Sequence, residues 1–129
     1  MKKLLILTLL TGILLAACGE SGENNTSAVY LNITAEEAKA LMDSEEGYII
    51  LDVRTQAEYD AGHIPGAILI PHTEIADRAE TELPDKDQLI LIYCRSGNRS
   101  KQAAEILVEL GYTNIREFGG IHDWPYEVE

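Results

Sequence analysis

After residue 28, short stretches of apolar or β-favouring residues are separated by segments in which charge and hydrophobicity alternate at helical spacing. Val29 to Ile33, Tyr48 to Leu51, Ala67 to Ile70, Leu89 to Tyr93 and Asn114 to Phe118 read as strands. A run such as Tyr48-Ile49-Ile50-Leu51 is continuous rather than alternating, as expected of a strand covered on both faces. Leu89-Ile90-Leu91-Ile92-Tyr93 is the most hydrophobic run after residue 28 and is expected at the centre of the sheet. Thr34-Ala35-Glu36-Glu37 is a capping box, opening a helix to about Asp43 with Ala38, Leu41 and Met42 on one side. Thr55 to Ala61 predicts a short helix stopped by Gly62, and Thr73 to about Glu82 a further one closed by Pro84-Asp85. From Ser100 to Leu110, Ala103, Ala104, Leu107, Val108 and Leu110 repeat at helical spacing, with Gly111 as the stop. Gly119-Gly120 leads into a helical turn containing Trp124. Strands alternating with helices predict an α/β fold, with a mostly parallel central sheet of about five strands and helices on both faces.

The first residues follow a different pattern. Met1, Lys2 and Lys3 precede an apolar run from Leu4 to Ala17. That run is shorter than the about 20 residues a spanning helix needs. A basic start followed by an apolar stretch of this size is the pattern of a secretory signal peptide, here residues 1–17. Its end, Leu15-Ala16-Ala17-Cys18, resembles the bacterial lipobox, which implies cleavage before Cys18 and a lipid on that cysteine. Residues 19–28, GESGENNTSA, cannot bury enough surface to fold and read as a tether reaching at most roughly 35 Å. The expected organisation is a leader at 1–17, a lipidated Cys18 with tether at 18–28, and one domain at 29–129. The expected location is the outer face of a cell membrane, or the periplasmic side of an envelope membrane, with the lipid as anchor.

Composition and charge narrow the functional classes. The 129 residues hold 10 Lys+Arg against 22 Asp+Glu, a formal charge of -12. Nucleic acid is thereby excluded as the expected partner, because phosphate binding needs a basic face. Two cysteines rule out a disulfide framework and a Cys-rich zinc module. With Cys18 lipidated, Cys94 would be a lone thiol in an exported protein, which demands a chemical reason.

That reason is local. Cys94-Arg95-Ser96-Gly97-Asn98-Arg99-Ser100 joins the end of the central strand to the strongest helix. Ligands of parallel α/β sheets bind at the carboxyl ends of strands, and a helix N-terminus favours an anion. Arg95 and Arg99 add charge, while Gly97 and Asn98 can turn their amides inward around the sulfur. All of these favour a thiolate, giving an anion-binding cup with a nucleophile at its floor. Gln88 to Ala104 contains Arg95, Arg99 and Lys101 and no acid, against the acidic whole.

Two stretches carry a family resemblance covering roughly Val29 to Trp124. One is Asp52-Val53-Arg54, Glu58-Tyr59 and Gly62-His63-Ile64-Pro65-Gly66-Ala67. The other is the Cys94 to Ser100 loop, followed by Leu110-Gly111-Tyr112 and by Gly119-Gly120-Ile121 with Trp124. In this order the chain resembles the rhodanese family of single-domain sulfurtransferases. The resemblance implies a three-layer rhodanese-like fold and a two-step transfer. Cys94 takes the outer sulfur of a small anionic donor such as thiosulfate or a persulfide, then passes it to a thiophilic acceptor, cyanide or another thiol. Arg95, Ser96, Gly97, Asn98 and Arg99 would bind the substrate, with no metal and no cofactor. A protein acceptor exported alongside it is compatible with this scheme.

The resemblance assigns Asp52, Arg54, Glu58 and His63 to structural support. Arg54 and Glu58 lie four apart near a helix start, the spacing of an ion pair. His72 and His122 have no partner at metal-ligand spacing, and Trp124 is expected in packing near the pocket rim. Two other classes stay open. A phosphatase or arsenate reductase of the Cdc25-like type has five residues between Cys and Arg, where this chain has four between Cys94 and Arg99. A module that carries or binds persulfide sulfur without turnover is the other.

Overall fold

The computed structural model describes residues 29–129; the expected leader at 1–17, the expected lipidation of Cys18 and the expected tether fall outside the described residues. Five strands form one sheet in the order β1-β5-β4-β2-β3. They are β1 (Leu31–Asn32), β2 (Ile49–Asp52), β3 (Ile68–Leu69), β4 (Ile90–Cys94) and β5 (Ile115–Gly120). Every pairing is parallel. The most apolar run is β4, buried along its whole length at the middle of the sheet.

Four helices cover the two faces: α1 (Ala35–Ser44), α2 (Gln56–Ala61), α3 (Ile75–Glu82) and α4 (Asn98–Glu109). On one face, Ile75, Ala79 and Leu83 of the α3 region and Ala103, Ala104 and Leu107 of α4 pack on Leu51, Ile90, Ile92 and Ile115. On the other, Ala38 of α1 packs with Ile50, Leu91, Tyr93, Phe118 and Trp124. Both cores are closed by side chains that alternate along the same strands, so each strand feeds two layers. Among the described residues no helix is long and apolar enough to cross a membrane.

The capping box at Thr34 forms as expected, with Glu37 N donating to Thr34 Oγ1 at 3.0 Å. Thr55 and Glu58 make a second one at the start of α2. Two boundaries differ from expectation for physical reasons. Residues 72–74 form a tight 3₁₀ turn rather than the first turn of α3, because Pro71 fixes the chain just before them. Trp124 follows the turn Ile121–Asp123 instead of lying in it; its amide donates back to the Ile121 carbonyl and its ring packs on Phe118.

β5 carries the irregularity that shapes the site. Ile92 pairs with Glu117, but Cys94 pairs with Gly120, so β5 has one extra residue here. Such a bulge bends the strand and is common beside active sites. Gly119 sits in it at φ +85°, a backbone geometry that disfavours other residues.

Candidate active site

The loop after β4 is short because Gly97 turns it. Gly97 has φ +108° and caps α4 from the left-handed region. The helix therefore starts at Asn98, two residues before the expected Ser100, and Ser100 is pulled into its first turn. The Gly97 amide donates to Cys94 Sγ at 2.9 Å, and the Ser100 hydroxyl lies 3.4 Å from the same sulfur. Cys94 is 1% exposed, at the floor of the loop. Ser96 and Asn98 face solvent with their side chains, so what they offer the site is backbone.

The Cys94 thiol is held below its ordinary range. Burial pushes it up, but the Ser100 hydroxyl and the amides of Ser100, Gly97 and Ser96 together outweigh that effect. The activation comes from neutral donors aimed at the sulfur, more than from the arginines that flank it in sequence. Arg99 is already engaged: Nη1 and Nη2 hold both oxygens of Glu58 at 2.7 and 2.9 Å. The Glu58 carboxyl is drawn down to about 2, chiefly by that Arg99 bond. Arg95 is exposed, and among the described residues its guanidinium makes no ion pair. It lines a cavity of about 280 Å³ with Arg54, Glu58, Ala61, Ile121 and His122. A larger cavity, about 500 Å³ between α1 and Trp124, contains no loop residue.

The expected ion pair between Arg54 and Glu58 does not form. Arg54 precedes the cap of α2, so it lies outside the helix and the four-residue spacing has no helical meaning. Instead Arg54 Nη2 donates to Asp52 Oδ2 at 2.7 Å and to the Gly62 carbonyl at 2.7 Å. Tyr93 donates its hydroxyl to the same Asp52 oxygen at 2.7 Å and accepts the Ile64 amide at 3.0 Å. Burial and the Asp52 contact push the Tyr93 phenol well above its ordinary range, so it stays a donor. His63 stacks on Tyr59 with ring centres 3.8 Å apart, and its Nδ1 lies 3.0 Å from the Tyr59 carbonyl. Asp52, Arg54 and His63 thus tie residues 59–64 to the end of β2, and Glu58 joins α2 to α4.

Three residues take roles in the site that the sequence did not assign to them. Ser100 was read only as a helix start; its hydroxyl faces the sulfur because the cap lies at Gly97. Glu117 is 2% exposed and accepts the Ser100 hydroxyl at 2.6 Å and the Gly119 amide at 2.8 Å. Its signal was present as an acid on the inward side of a strand, between Ile115 and Gly119. Gly120 underlies the loop so closely that a Cβ there would collide with the Arg95 carbonyl.

Comparison with known proteins meets this geometry directly. Residues 34–126 match the Rhodanese-like domain. The chain belongs to the rhodanese-like domain family. Among rhodanese-like relatives, it is 44% identical over 73 residues to Thiosulfate sulfurtransferase PspE of Escherichia coli (strain K12), covering 57% of this chain and 70% of that protein. It is 38% identical over 112 residues to YrkF of Bacillus subtilis (strain 168), named as a proposed sulfur carrier; that match covers 86% of this chain and 59% of YrkF. A solved rhodanese with anions from E. coli superposes with a TM-score of 0.60 at 39% identity, over 64% of this chain and 96% of that one.

Proposed function

We propose that this rhodanese-like domain moves sulfane sulfur through a persulfide on Cys94, with thiosulfate or a persulfide as donor and cyanide or a thiol as acceptor. The observation that carries this reading is the buried Cys94 sulfur, held by the Gly97 amide and facing the Ser100 hydroxyl at the start of α4. Sulfur transfer or carriage is also the function its named relatives support.

The thiolate attacks the outer sulfur of the donor. A bond forms between Cys94 Sγ and that sulfur while the donor's own sulfur–sulfur bond breaks, and sulfite leaves with the electron pair when thiosulfate is the donor. The new terminal sulfur carries the negative charge and takes hydrogen bonds from the loop amides. An acceptor thiolate or cyanide then attacks that sulfur and returns the Cys94 thiolate. Arg95, at the cavity beside the loop, supplies an exposed positive charge that draws an anionic donor in. A sulfur only 1% exposed suits the narrow end of a sulfane donor better than a tetrahedral phosphate.

The test is the mass of the Cys94 peptide after the full chain meets thiosulfate or polysulfide. A gain of one sulfur on wild type and none on Cys94→Ser is expected. An unmodified Cys94 under donor excess defeats the proposal. Steady release of thiocyanate from thiosulfate and cyanide distinguishes turnover from carriage.

The proposal extends to location. Leu15-Ala16-Ala17-Cys18 supports lipidation at Cys18 and display of the domain at an outward-facing membrane surface, where an exported protein thiol could be the acceptor. Cys18→Ser is expected to release the protein from the membrane fraction. Unchanged fractionation would reject the anchor without touching the chemistry at Cys94.

A further inference from the structure

A second buried acid stands behind the nucleophile. Glu117 projects from β5 towards α4, on the same face of the sheet as Ile92 and Cys94. Its Oε1 lies 2.6 Å from Ser100 Oγ, and Ser100 Oγ lies 3.4 Å from Cys94 Sγ. Among the described residues, no Lys, Arg or His is paired with Glu117. The titratable groups coupled to this hydrogen-bonded chain include Cys94 of β4, reached through Ser100, Arg99 of α4, which feels the Cys94 charge, and Tyr30 from the segment before β1. The Tyr30 phenol is pushed up by burial and then by Glu105 of α4 and Glu117.

Ser100 has a single hydroxyl proton, and the sulfur and the carboxylate compete for it, with the Gly97 carbonyl at 3.0 Å as a third acceptor. A thiolate and a carboxylate at opposite ends of that hydroxyl would be two like charges in a buried site, with backbone amides on each, Gly97 on the sulfur and Gly119 on the carboxylate, and one hydroxyl proton between them. Moving one proton along the chain resolves the conflict. We propose that Glu117 is a positioning residue that holds the proton Cys94 gives up, with Ser100 as the bridge.

The thiol proton passes to Ser100 Oγ as the hydroxyl proton passes to Glu117 Oε1. The products are a thiolate that accepts the Ser100 hydroxyl and the Gly97 amide, and a neutral carboxyl that donates to Ser100. The site keeps one negative charge throughout, and no proton enters or leaves. After sulfur uptake the charge moves to the terminal sulfur and Glu117 keeps the proton. The inference rests on Cys94 as the nucleophile of the proposed sulfur transfer, but its test does not depend on transfer.

The experiment is the rate of Cys94 alkylation by iodoacetamide against pH, read on the Cys94 peptide of the full chain. Wild type is expected to rise in two steps separated by a plateau, because the pair shares one proton between two macroscopic ionisations. Glu117→Gln keeps an acceptor for the Gly119 amide but cannot take a proton. It is expected to rise in one step, at about tenfold per pH unit below its midpoint. Glu117→Asp restores the second step. Infrared spectroscopy needs no variant: the carbonyl stretch of one protonated carboxyl should be present at neutral pH and vanish when iodoacetamide converts the thiolate to a thioether. A single step in wild type, two steps that persist in Glu117→Gln, or no carboxyl signal overturns the inference. Two steps with no sulfur gained from thiosulfate would instead defeat the transfer reading and leave the relay standing.

Discussion

Two buried carboxyl groups stand near the carboxyl ends of the strands, on opposite faces of the same sheet, and they are treated in opposite ways. Asp52 is fully buried and enclosed: Arg54 supplies a paired cation, and Tyr93 a hydroxyl. Glu117 is nearly as deeply buried, but among the described residues its carboxylate accepts from the Ser100 hydroxyl and the Gly119 amide alone, and the hydroxyl is shared with a thiol. A carboxylate with its own guanidinium has no reason to exchange a proton, so the Asp52 cluster is a brace. A carboxylate whose donor is contested is left able to respond, and that cluster contains Cys94, the nucleophile of the proposed transfer.

The comparison can be broken at either end. The largest expected effect is on the brace. Arg54→Ala leaves Asp52 buried and unpaired, and is expected to cost about 3–5 kcal/mol in chemical denaturation. The pH profile of Cys94 alkylation in the protein that remains folded should be unchanged. A profile that shifts would mean that the two clusters are coupled across the sheet.

Gly120→Ala acts on the loop floor. Its Cβ would meet the Arg95 carbonyl, so the backbone of the Cys94 loop must move. Persulfide formation should be nearly lost while far-ultraviolet circular dichroism is retained; wild-type sulfur uptake would show that the loop tolerates displacement.

Ser100→Ala removes the hydroxyl from the sulfur and the carboxylate together. Alkylation at neutral pH should fall about ten- to a hundredfold, the worth of one hydrogen bond to a charged group. Equal reactivity with wild type would assign the activation of Cys94 to the amides alone.

Arg99→Ala exposes the Glu58 charge beside the loop. The expected result is about a tenfold rise in KM for thiosulfate, an electrostatic effect of ordinary size at a partly exposed site. Neutral iodoacetamide should change little, because Arg99 is not among the groups that lower the thiol most.

The smallest effect is on acid stability. The folded Glu58 carboxyl is drawn from 4.5 to about 2, so its pair with Arg99 contributes fully above about pH 4.5 and is lost as the pH falls towards 2. At this partly exposed position the contribution is about 1 kcal/mol. Denaturation of Glu58→Gln should therefore differ from wild type at pH 6 and converge with it near pH 2.

Much of this was readable in advance, and the misses have one cause. Apolar runs marked the strands, most plainly β4, because burial on both faces leaves no charged position within it. The Thr34 box and Gly111 marked helix ends, since caps are local hydrogen-bonding problems. Arg54 and Glu58 were misread because i,i+4 spacing pairs residues only inside one helix, and Arg54 lies before the cap. Ser100 and Glu117 were passed over because 17 positions separate them, and only the approach of α4 to β5 makes their bond.

The sequence by itself determined the order of strands and helices, the loop at the end of the most apolar strand, and the single cysteine at its start. Those features depend on hydrophobic period and on turn chemistry, both encoded within a few residues. The tertiary structure decided which charges were free. It gave Arg54 to Asp52 and Arg99 to Glu58, and left Arg95 without an ion pair among the described residues. It also set the extra residue of β5 beside Cys94, so that a carboxyl from one strand meets a thiol from another through a helix hydroxyl. Hydrogen bonds act over about 3 Å, and such distances between remote residues exist only once the sheet has closed.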